Sequence, residues 1–172
     1  MLLRIELWRL KKRTTTTLII QQATIEDARE ILALQKRAFL QEAKLQDNFL
    51  IAPMVQTLSE MENEFPDFLV LKGSINGRII GSVRGKIIND KCYIGRLIVD
   101  PVFQQKGYGS TLLNAIESRF SHAAIFELFT GESSDNNIRF YSKRGYIKVE
   151  SYDGPDGSKL VKMIKARNES TL

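Results

Sequence analysis

The chain has 172 residues, of which 43% are hydrophobic and 26% are charged, values typical of one globular domain that is long enough to bury a core. Its net charge of +5 comes mainly from residues 1–13, which hold five basic residues and one acidic residue. The remaining chain holds 20 basic and 19 acidic residues, so its body is not expected to form a nucleic-acid-binding surface.

Scarce residue types exclude further classes. Cys92 is the only cysteine, so an intramolecular disulfide is impossible, which fits a cytoplasmic location. One cysteine and one histidine, His122, give no metal-ligand spacing, so no metal is expected. No apolar run approaches the ~20 residues that a membrane span requires.

The two ends are interpreted as additions to a single domain. Residues 1–17 mix basic and apolar side chains and end in four threonines, Thr14 to Thr17. They are predicted to be an N-terminal extension, flexible or peripheral, that could also pack on the domain or contact a membrane surface. The domain is predicted over residues 18–166, with a C-terminal tail over 167–172.

The first half of the domain begins with a short predicted strand at Leu18. Thr24-Ile25-Glu26-Asp27 resembles a capping box and predicts a helix that fades near Lys44. Pro53 opens a second predicted helix, which runs to about Glu64.

Three predicted strands follow, over residues 68–72, 78–88 and 91–99. Asn76-Gly77 is a strong hairpin turn signal between the first two, and Asn89-Asp90 is a weaker one between the second and third.

The stretch 93–121 changes from an apolar strand to a glycine-containing loop and then to a helix, predicted over 107–121, with its apolar residues on one face. Gly107 and Gly109 would let a bound phosphate approach the backbone, and the helix N-terminus favours an anion. The pattern is neither a dinucleotide fingerprint nor a Walker loop, and taken alone it also fits an ordinary turn.

The last third is predicted to contain a strand over 124–130, a helix over 134–144 and two final strands over 146–152 and 159–165. Gly145 after Lys143-Arg144 is a good helix C-cap. The predicted order is therefore β-α-α-β-β-β-α-β-α-β-β, an α/β (α+β) domain with a mixed sheet.

Two segments carry a resemblance to a known family. Residues 94–101 and 104–109 read IGRLIVDP and QQKGYG, which resembles the acyl-CoA-binding motif Q/R-x-x-G-x-G/A of the GNAT superfamily of N-acyltransferases. Residues 134–146, SDNNIRFYSKRGY, are similar to that family's N-I-x-x-Y-x-x-x-G-[FY] signature. The resemblance covers nearly the whole domain and implies a mixed, mostly antiparallel sheet flanked by helices.

The resemblance also implies which residues bind the acyl-CoA. Backbone groups of the loop would bind the pyrophosphate, and the strand before it would bind the pantetheine arm where it splays from the next strand. The implied cofactor-binding residues are Leu97, Ile98, Val99, Gln104, Gln105, Lys106, Gly107, Tyr108, Gly109 and Ser110.

Tyr141 is the candidate catalytic acid, because a phenol can protonate a departing thiolate at neutral pH and the family places a tyrosine at this position. It is also counted with the cofactor residues. Asn137 lies one helical turn earlier and could bind the pantetheine arm. The alternatives are that Tyr141 only packs under the sheet and that Asn137 is only a local cap.

The general base is not identifiable from the sequence. Glu127, then Glu64 and Asp67, are carboxylates that could hold a water, and each could equally be a surface charge. Arg96 could meet either an acidic substrate or a neighbouring carboxylate. His122 is expected to cap the central helix or to face solvent.

The predicted function is transfer of an acetyl group from acetyl-CoA to a primary amine of a small-molecule or protein acceptor, by a monomer or homodimer in the cytoplasm. Two alternatives stay open: a non-catalytic acyl-CoA sensor on the same fold, and a nucleic-acid-associated protein that uses residues 1–13.

Overall fold

A computed structural model describes residues 17–167 and contains one seven-stranded sheet with helices on both faces. The strands are β1 (Ile19–Gln22), β2 (Leu69–Ile75), β3 (Arg78–Ile88), β4 (Lys91–Val99), β5 (Ile125–Gly131), β6 (Ile147–Asp153) and β7 (Lys159–Ala166). The helices are α1 (Ala28–Leu45), α2 (Ala52–Val55), α3 (Leu58–Glu64), α4 (Tyr108–Arg119) and α5 (Asp135–Ser142). Most of the predicted N-terminal extension, including its five basic residues, and most of the predicted tail lie outside the described residues.

The strands are arranged in the order β1-β2-β3-β4-β5-β7-β6. The neighbouring strands pair antiparallel, with the exception of β4 and β5, which pair parallel. The predicted fold class is therefore confirmed, and the predicted order of elements holds except that the structure has one more helix before β2. Asn76 and Gly77, at the β2–β3 turn, have φ values of 50° and 79°, the left-handed conformation that a tight hairpin turn requires.

The sheet separates two apolar cores. On one face, Leu112, Leu113 and Ile116 of α4 are fully buried against a cluster that includes Val83 and Met163. On the other face, α1 and α3 pack on a second cluster, to which Ala28, Ile31, Leu34, Met61 and Ile98 contribute. Ile98 of β4 belongs to the α1 side, whereas Leu97 and Val99 pack on the α4 side, as strand alternation requires.

The predicted single helix over 53–64 is wrong, because it is two helices. Gln56 adopts an extended backbone between them, and Thr57 then caps α3 by accepting a 3.2 Å hydrogen bond from the Glu60 N–H. Buried Gln35 of α1 stabilises the break, since its Nε2 donates to Pro53 O at 3.0 Å and to Gln56 Oε1 at 2.8 Å. The pattern T-L-S-E is itself a capping box that predicts this start.

Other boundaries differ by a few residues. Strand β2 extends to Ile75 rather than ending at residue 72, and α4 and α5 are each shorter at both ends than predicted. Within residues 17–167, no helix combines the length and the apolar character needed to cross a membrane.

Candidate functional site

Strands β4 and β5 diverge and leave an opening in the middle of the sheet. Their pairing begins at Lys91↔Ile125 and ends at Tyr93↔Glu127. Beyond that point β4 pairs only with β3, and β5 pairs only with β7. The resulting gap agrees with the predicted splay and leaves backbone groups of β4 available to a ligand.

A cavity of about 760 Å³ occupies this gap. Its walls include residues 94–99 of β4, residues 128–131 of β5, the C-terminal half of α1 and the start of α5. A volume of this size is in the range of small-molecule and cofactor sites.

A bulge in β4 changes the direction of its side chains. Ser82 pairs with Ile98 and Arg84 pairs with Gly95, so the register shifts by one residue between the two pairs. Arg96 lies in the bulge with a φ of 51°, a left-handed conformation that few non-glycine residues adopt. Such irregularities often redirect a side chain toward a functional site.

The end of β4 is fixed to the loop that follows it. The buried carboxylate of Asp100 accepts a 3.2 Å hydrogen bond from the Val102 N–H and forms ion pairs with Arg37 and Arg78 at 3.1 and 2.8 Å. Gln104 Nε2 donates to Val99 O at 3.1 Å. The Gln104 side chain therefore stabilises the loop by binding the end of β4, and the residue also lines the cavity.

The loop before α4 exposes a row of backbone donors. Gln105 and Gly107 have φ values of 60° and 85°. The first hydrogen bond of the helix is donated by the Thr111 N–H to Gly107 O at 3.1 Å. Within residues 17–167, no acceptor receives the N–H groups of residues 105–107, 109 and 110. Consecutive unpaired donors at a helix N-terminus are suited to a phosphate.

Cationic side chains surround the same helix end. Arg144 donates to Ser110 Oγ and, at 2.6 Å, to Phe140 O, and its guanidinium lies 3.7 Å from the centroid of the Phe140 ring. Lys106 is exposed in the loop, 5.4 Å from the centroid of the Phe103 ring. Arg144 thereby joins the end of α5 to the start of α4 and adds positive charge there.

Tyr141 and Asn137 of α5 both line the cavity. The Tyr141 ring packs edge-on against Phe140, with centroids 5.1 Å apart, and its hydroxyl has no hydrogen-bond partner among residues 17–167. Burial raises the pKa of this phenol above its ordinary value; Arg144 opposes the rise and Glu42 adds to it. Tyr141 therefore remains a proton donor at neutral pH.

The predicted site residues divide into two groups. Those that line the cavity are Leu97, Ile98, Val99, Gln104, Asn137 and Tyr141. Those that form the adjoining loop and helix start are Gln105, Lys106, Gly107, Tyr108, Gly109 and Ser110. The two groups meet at Gln104, so the fold brings the two sequence motifs to one place.

The three carboxylates considered as the base are not on the cavity wall. Glu127 and Asp67 do not line it. Glu64 lines a smaller neighbouring pocket, where it forms an ion pair with Arg84 and accepts a 2.8 Å hydrogen bond from Gln56. His122 is exposed, as predicted.

Sequence reasoning missed Glu42, which lines the cavity from α1. Its carboxylate lies directly against Gly131 at the end of β5, where a β-carbon would collide with it. It accepts a 2.9 Å hydrogen bond from Gln46. The spacing of Phe39, Glu42 and Gln46 on one face of α1 is the signal that could have identified it.

The segment after α1 is fastened to the β6–β7 hairpin. Asn48 Nδ2 donates to Asp156 O at 3.0 Å, and the Ala52 N–H donates to the Asp156 carboxylate at 2.7 Å. The Lys159 N–H donates to Gln46 Oε1 at 3.1 Å. Gln46, Ala52 and Asp156 also line the cavity, so these contacts are part of its wall.

Within the described residues, no group of three His, Cys, Asp or Glu side chains is placed to hold a metal ion.

Comparison with known proteins adds a family assignment. A protein-family model described as the acetyltransferase (GNAT) family matches residues 25–146. The chain is 34% identical over 92 residues to the spermidine N(1)-acetyltransferase of Thermoplasma acidophilum, covering 52% of this chain and 56% of that protein. It is 29% identical over 112 residues to a ribosomal protein bS18-alanine N-acetyltransferase of Haemophilus ducreyi, covering 62% of this chain and 77% of that protein.

The chain spans only 39% to 56% of the length of three curated relatives that it matches. Among solved structures, it is similar to the PaiA N-acetyltransferase of Thermoplasma acidophilum in complex with coenzyme A, with a TM-score of 0.72 and 20% identity. That similarity covers 87% of this chain and 99% of the other, and it supports the fold.

Proposed function

The chain belongs to the acetyltransferase (GNAT) family, and we propose that it transfers an acetyl group from acetyl-CoA to a primary amine of an acceptor. The observation that carries this proposal is the opening between β4 and β5, which has unpaired backbone donors at one end and the Tyr141 hydroxyl on its wall. Residues 18–166 would form the catalytic domain.

The first requirement of the reaction is that the co-substrate is anchored. The unpaired N–H groups of residues 105–107, 109 and 110 fit a pyrophosphate, because they converge at a helix N-terminus beside Lys106 and Arg144. Gly107 leaves open space, since a β-carbon built there would meet no atom within 4 Å. This open space would let a phosphate approach the backbone of the loop.

The second requirement is that the reacting end reaches the cavity. Residues 94–99 of β4 have no strand partner on the β5 side, so their backbone groups can pair with the amides of a pantetheine arm. Asn137 lines the same cavity and can hydrogen-bond to that arm. Acetyl-CoA, when bound, supplies a thioester whose C–S bond breaks as the new C–N bond forms.

The third requirement is proton transfer. The attacking amine loses a proton, and the departing sulfur gains one. Tyr141 is the proposed donor to the sulfur, because its buried phenol stays protonated and its hydroxyl has no partner among residues 17–167. The acceptor of the amine proton stays open between a water held by Glu127, Glu64 or Asp67 and the cavity-lining Glu42.

The proposed acceptor is a small-molecule or protein amine. The names of the two curated relatives give one example of each, spermidine and an alanine of ribosomal protein bS18. The proposed location is cytoplasmic and the proposed state is a monomer or homodimer; neither a metal nor a nucleic acid has a part. The buried single cysteine, Cys92, fits a reducing compartment.

The test is release of coenzyme A thiol from acetyl-CoA in the presence of a panel of amines, with acetylated product identified by mass spectrometry. Amine-dependent release supports the proposal. Tight acetyl-CoA binding with no turnover on any amine would favour the alternative, a non-catalytic acyl-CoA sensor.

A further inference from the structure

Arg96 is a largely buried arginine without an anionic partner. It lies in the bulge of β4 and lines both the large cavity and the smaller pocket beside it. Its Nε is completely buried without a hydrogen-bond acceptor, and no ion pair or hydrogen bond joins its guanidinium to any residue within 17–167. Burying a charge without a partner lowers the stability of a protein. An unpaired arginine at a cavity wall therefore points to an anionic ligand that pairs with it.

The neighbouring acidic groups are already engaged. Glu64 pairs with Arg84 and accepts from Gln56. Asp156 accepts hydrogen bonds from Ser158 and from the Ala52 N–H. The sequence left open whether Arg96 meets a neighbouring carboxylate or an acidic substrate. Within residues 17–167 no carboxylate forms a hydrogen bond or an ion pair with Arg96, although Glu64 and Asp156 are near enough to act on its charge. Its hydrogen-bond donors are therefore available to an acidic substrate.

Arg84 shows how the charge of a comparable guanidinium is paired in the same region, although its Nε, like that of Arg96, is buried without an acceptor among residues 17–167. It forms an ion pair with Glu64 and lies 4.2 Å from the centroid of the Phe68 ring. Arg96 has a comparable aromatic contact, since its guanidinium lies 5.7 Å from the centroid of the Phe39 ring. It has no counterpart of the ion pair that Arg84 forms with Glu64.

Arg96 keeps its charge at neutral pH. Burial lowers its pKa most, and Arg84 lowers it further, whereas Glu64 and Asp156 oppose the shift; the result is a pKa of about 10. Its guanidinium lies 5.7 Å from the centroid of the Phe39 ring. A charged guanidinium binds a carboxylate through two parallel hydrogen bonds.

We infer that the acceptor is an amine that also carries a carboxylate, and that Arg96 binds this carboxylate. The inference rests on the proposed acetyl transfer and specifies its substrate class. Glu42 and Arg96 line the same cavity, together with Arg84, Asp135, Arg139 and Asp156, so the cavity offers charges of both signs to a molecule that carries both an amine and a carboxylate. A polyamine, the substrate named for one relative, would place a second cation near Arg96.

The experiment compares unbranched amino acids from glycine to 6-aminohexanoate with the corresponding amino amides, and includes spermidine. The length series is needed because the amine and the carboxylate must reach different walls of the cavity. Initial rates of thiol release give kcat/KM, and calorimetry in the presence of coenzyme A gives binding. Variants are Arg96→Gln, Arg96→Lys and, as a control for net charge, Arg29→Gln on the exposed face of α1.

In the natural protein, the best amino acid should exceed its amide in kcat/KM by at least about 30-fold, because the amide leaves the buried charge unpaired. Arg96→Gln should remove this preference by lowering kcat/KM for the amino acid to the value for its amide. Arg96→Lys should restore part of the preference, and Arg29→Gln should change nothing. The comparison within the natural protein remains valid even if Arg96→Gln fails to fold.

The outcomes separate the two proposals. Turnover of amines with no preference for the carboxylate, or with a preference for spermidine, overturns the assignment to Arg96 and leaves acetyl transfer standing. Binding of amino acids that needs Arg96, without any turnover, supports the anion site and overturns acetyl transfer. Neither binding nor turnover overturns both.

Discussion

Tyr141 and Tyr146 pack edge to face with ring centroids 5.7 Å apart, yet their hydroxyls have opposite surroundings. The Tyr146 hydroxyl donates a 2.8 Å hydrogen bond to Glu117, and this ring belongs to the main core. The Tyr141 hydroxyl has no such partner among residues 17–167 and belongs to a ring on the cavity wall. One tyrosine is therefore structural, and the other is available for chemistry.

Replacing each tyrosine by phenylalanine should separate these roles. Tyr141→Phe should lower kcat by at least about tenfold with little change in the KM for acetyl-CoA, because the sulfur loses its proton donor. Tyr146→Phe should instead lower the free energy of unfolding by about 1–2 kcal/mol, because Glu117 loses a hydrogen bond. Steady-state kinetics and thermal unfolding of both variants measure this. A normal kcat in Tyr141→Phe would remove its role as the acid.

The pH dependence of kcat follows from the same phenol. Burial raises the pKa of Tyr141, so the protonated, donating form persists to higher pH than for an exposed tyrosine. The rate should rise with pH as the acceptor amine loses its proton, and Tyr141 should cause no decline below about pH 10. A pH profile of the natural protein and of Tyr141→Phe tests this. A decline near pH 8 that disappears in the variant would mean that the phenol titrates much lower.

Gly107, in the loop before α4, has a matched control in Gly77 of the β2–β3 turn. Gly107 and Gly77 have φ values of 85° and 79°, and a β-carbon at either would meet nothing within 4 Å. Gly107→Glu and Gly77→Glu should therefore lose similar stability, on the order of 1–2 kcal/mol, from the left-handed backbone. Only Gly107→Glu should abolish acetyl-CoA binding, because it puts a negative charge at the proposed phosphate cradle.

Calorimetric titration with acetyl-CoA and thermal unfolding distinguish the two effects. Full affinity for acetyl-CoA in Gly107→Glu would contradict the assignment of this loop to the pyrophosphate. Equal loss of affinity in both variants would show that the effect is only a general loss of stability.

The sequence alone predicted those elements that depend on patterns among neighbouring residues. The 3.6-residue spacing of Leu112, Leu113 and Ile116 predicted α4, and Asn76-Gly77 predicted the β2–β3 hairpin, because these signals depend on neighbours in the chain. The order of two motifs predicted the fold class through their resemblance to a family. The meeting of these motifs at Gln104 and Tyr141 follows from that fold.

What could not be predicted depends on contacts between distant segments. The break between α2 and α3 is stabilised by Gln35, which lies 18 residues away from its partner Pro53. The bulge at Arg96 is a mismatch in register with β3, and a single strand does not reveal its partner's register. Glu42 reaches the cavity because Gly131, on another element, leaves room for its carboxylate.

Glu42 and Glu127 provide a test for the proton acceptor. Glu42 lines the cavity and adds to the upward shift of the Tyr141 pKa, whereas Glu127 does not line the cavity. Glu42→Gln should lower kcat/KM for the amine by roughly tenfold and leave the KM for acetyl-CoA unchanged, whereas Glu127→Gln should have little effect. Steady-state kinetics with the amine varied measures both. The reverse ranking would restore Glu127 as the first candidate.

Asp156 is predicted to hold residues 46–52 against the β6–β7 hairpin at the cavity wall. Burial alone would raise its pKa, but hydrogen bonds from Ser158 and from the Ala52 N–H outweigh this and lower it below the ordinary value. Asp156→Ala should lower the free energy of unfolding by about 1–2 kcal/mol and raise the KM for the amine, because residues 46–52 lose their attachment to the hairpin. Hydrogen exchange of residues 46–52 should become faster, whereas α4 should keep its protection.

The acid sensitivity of this attachment has a definite sign. Because the folded-state pKa of Asp156 is lowered, its contribution to stability is complete above the unfolded pKa of about 4 and is lost as the pH falls through the lower folded value. Exchange at 46–52 should therefore accelerate only below about pH 4 in the natural protein. Asp153→Ala on the same hairpin is the control, since its ion pair with Lys159 is exposed and should contribute little. Equal effects of the two substitutions would mean that Asp156 acts only as a surface charge.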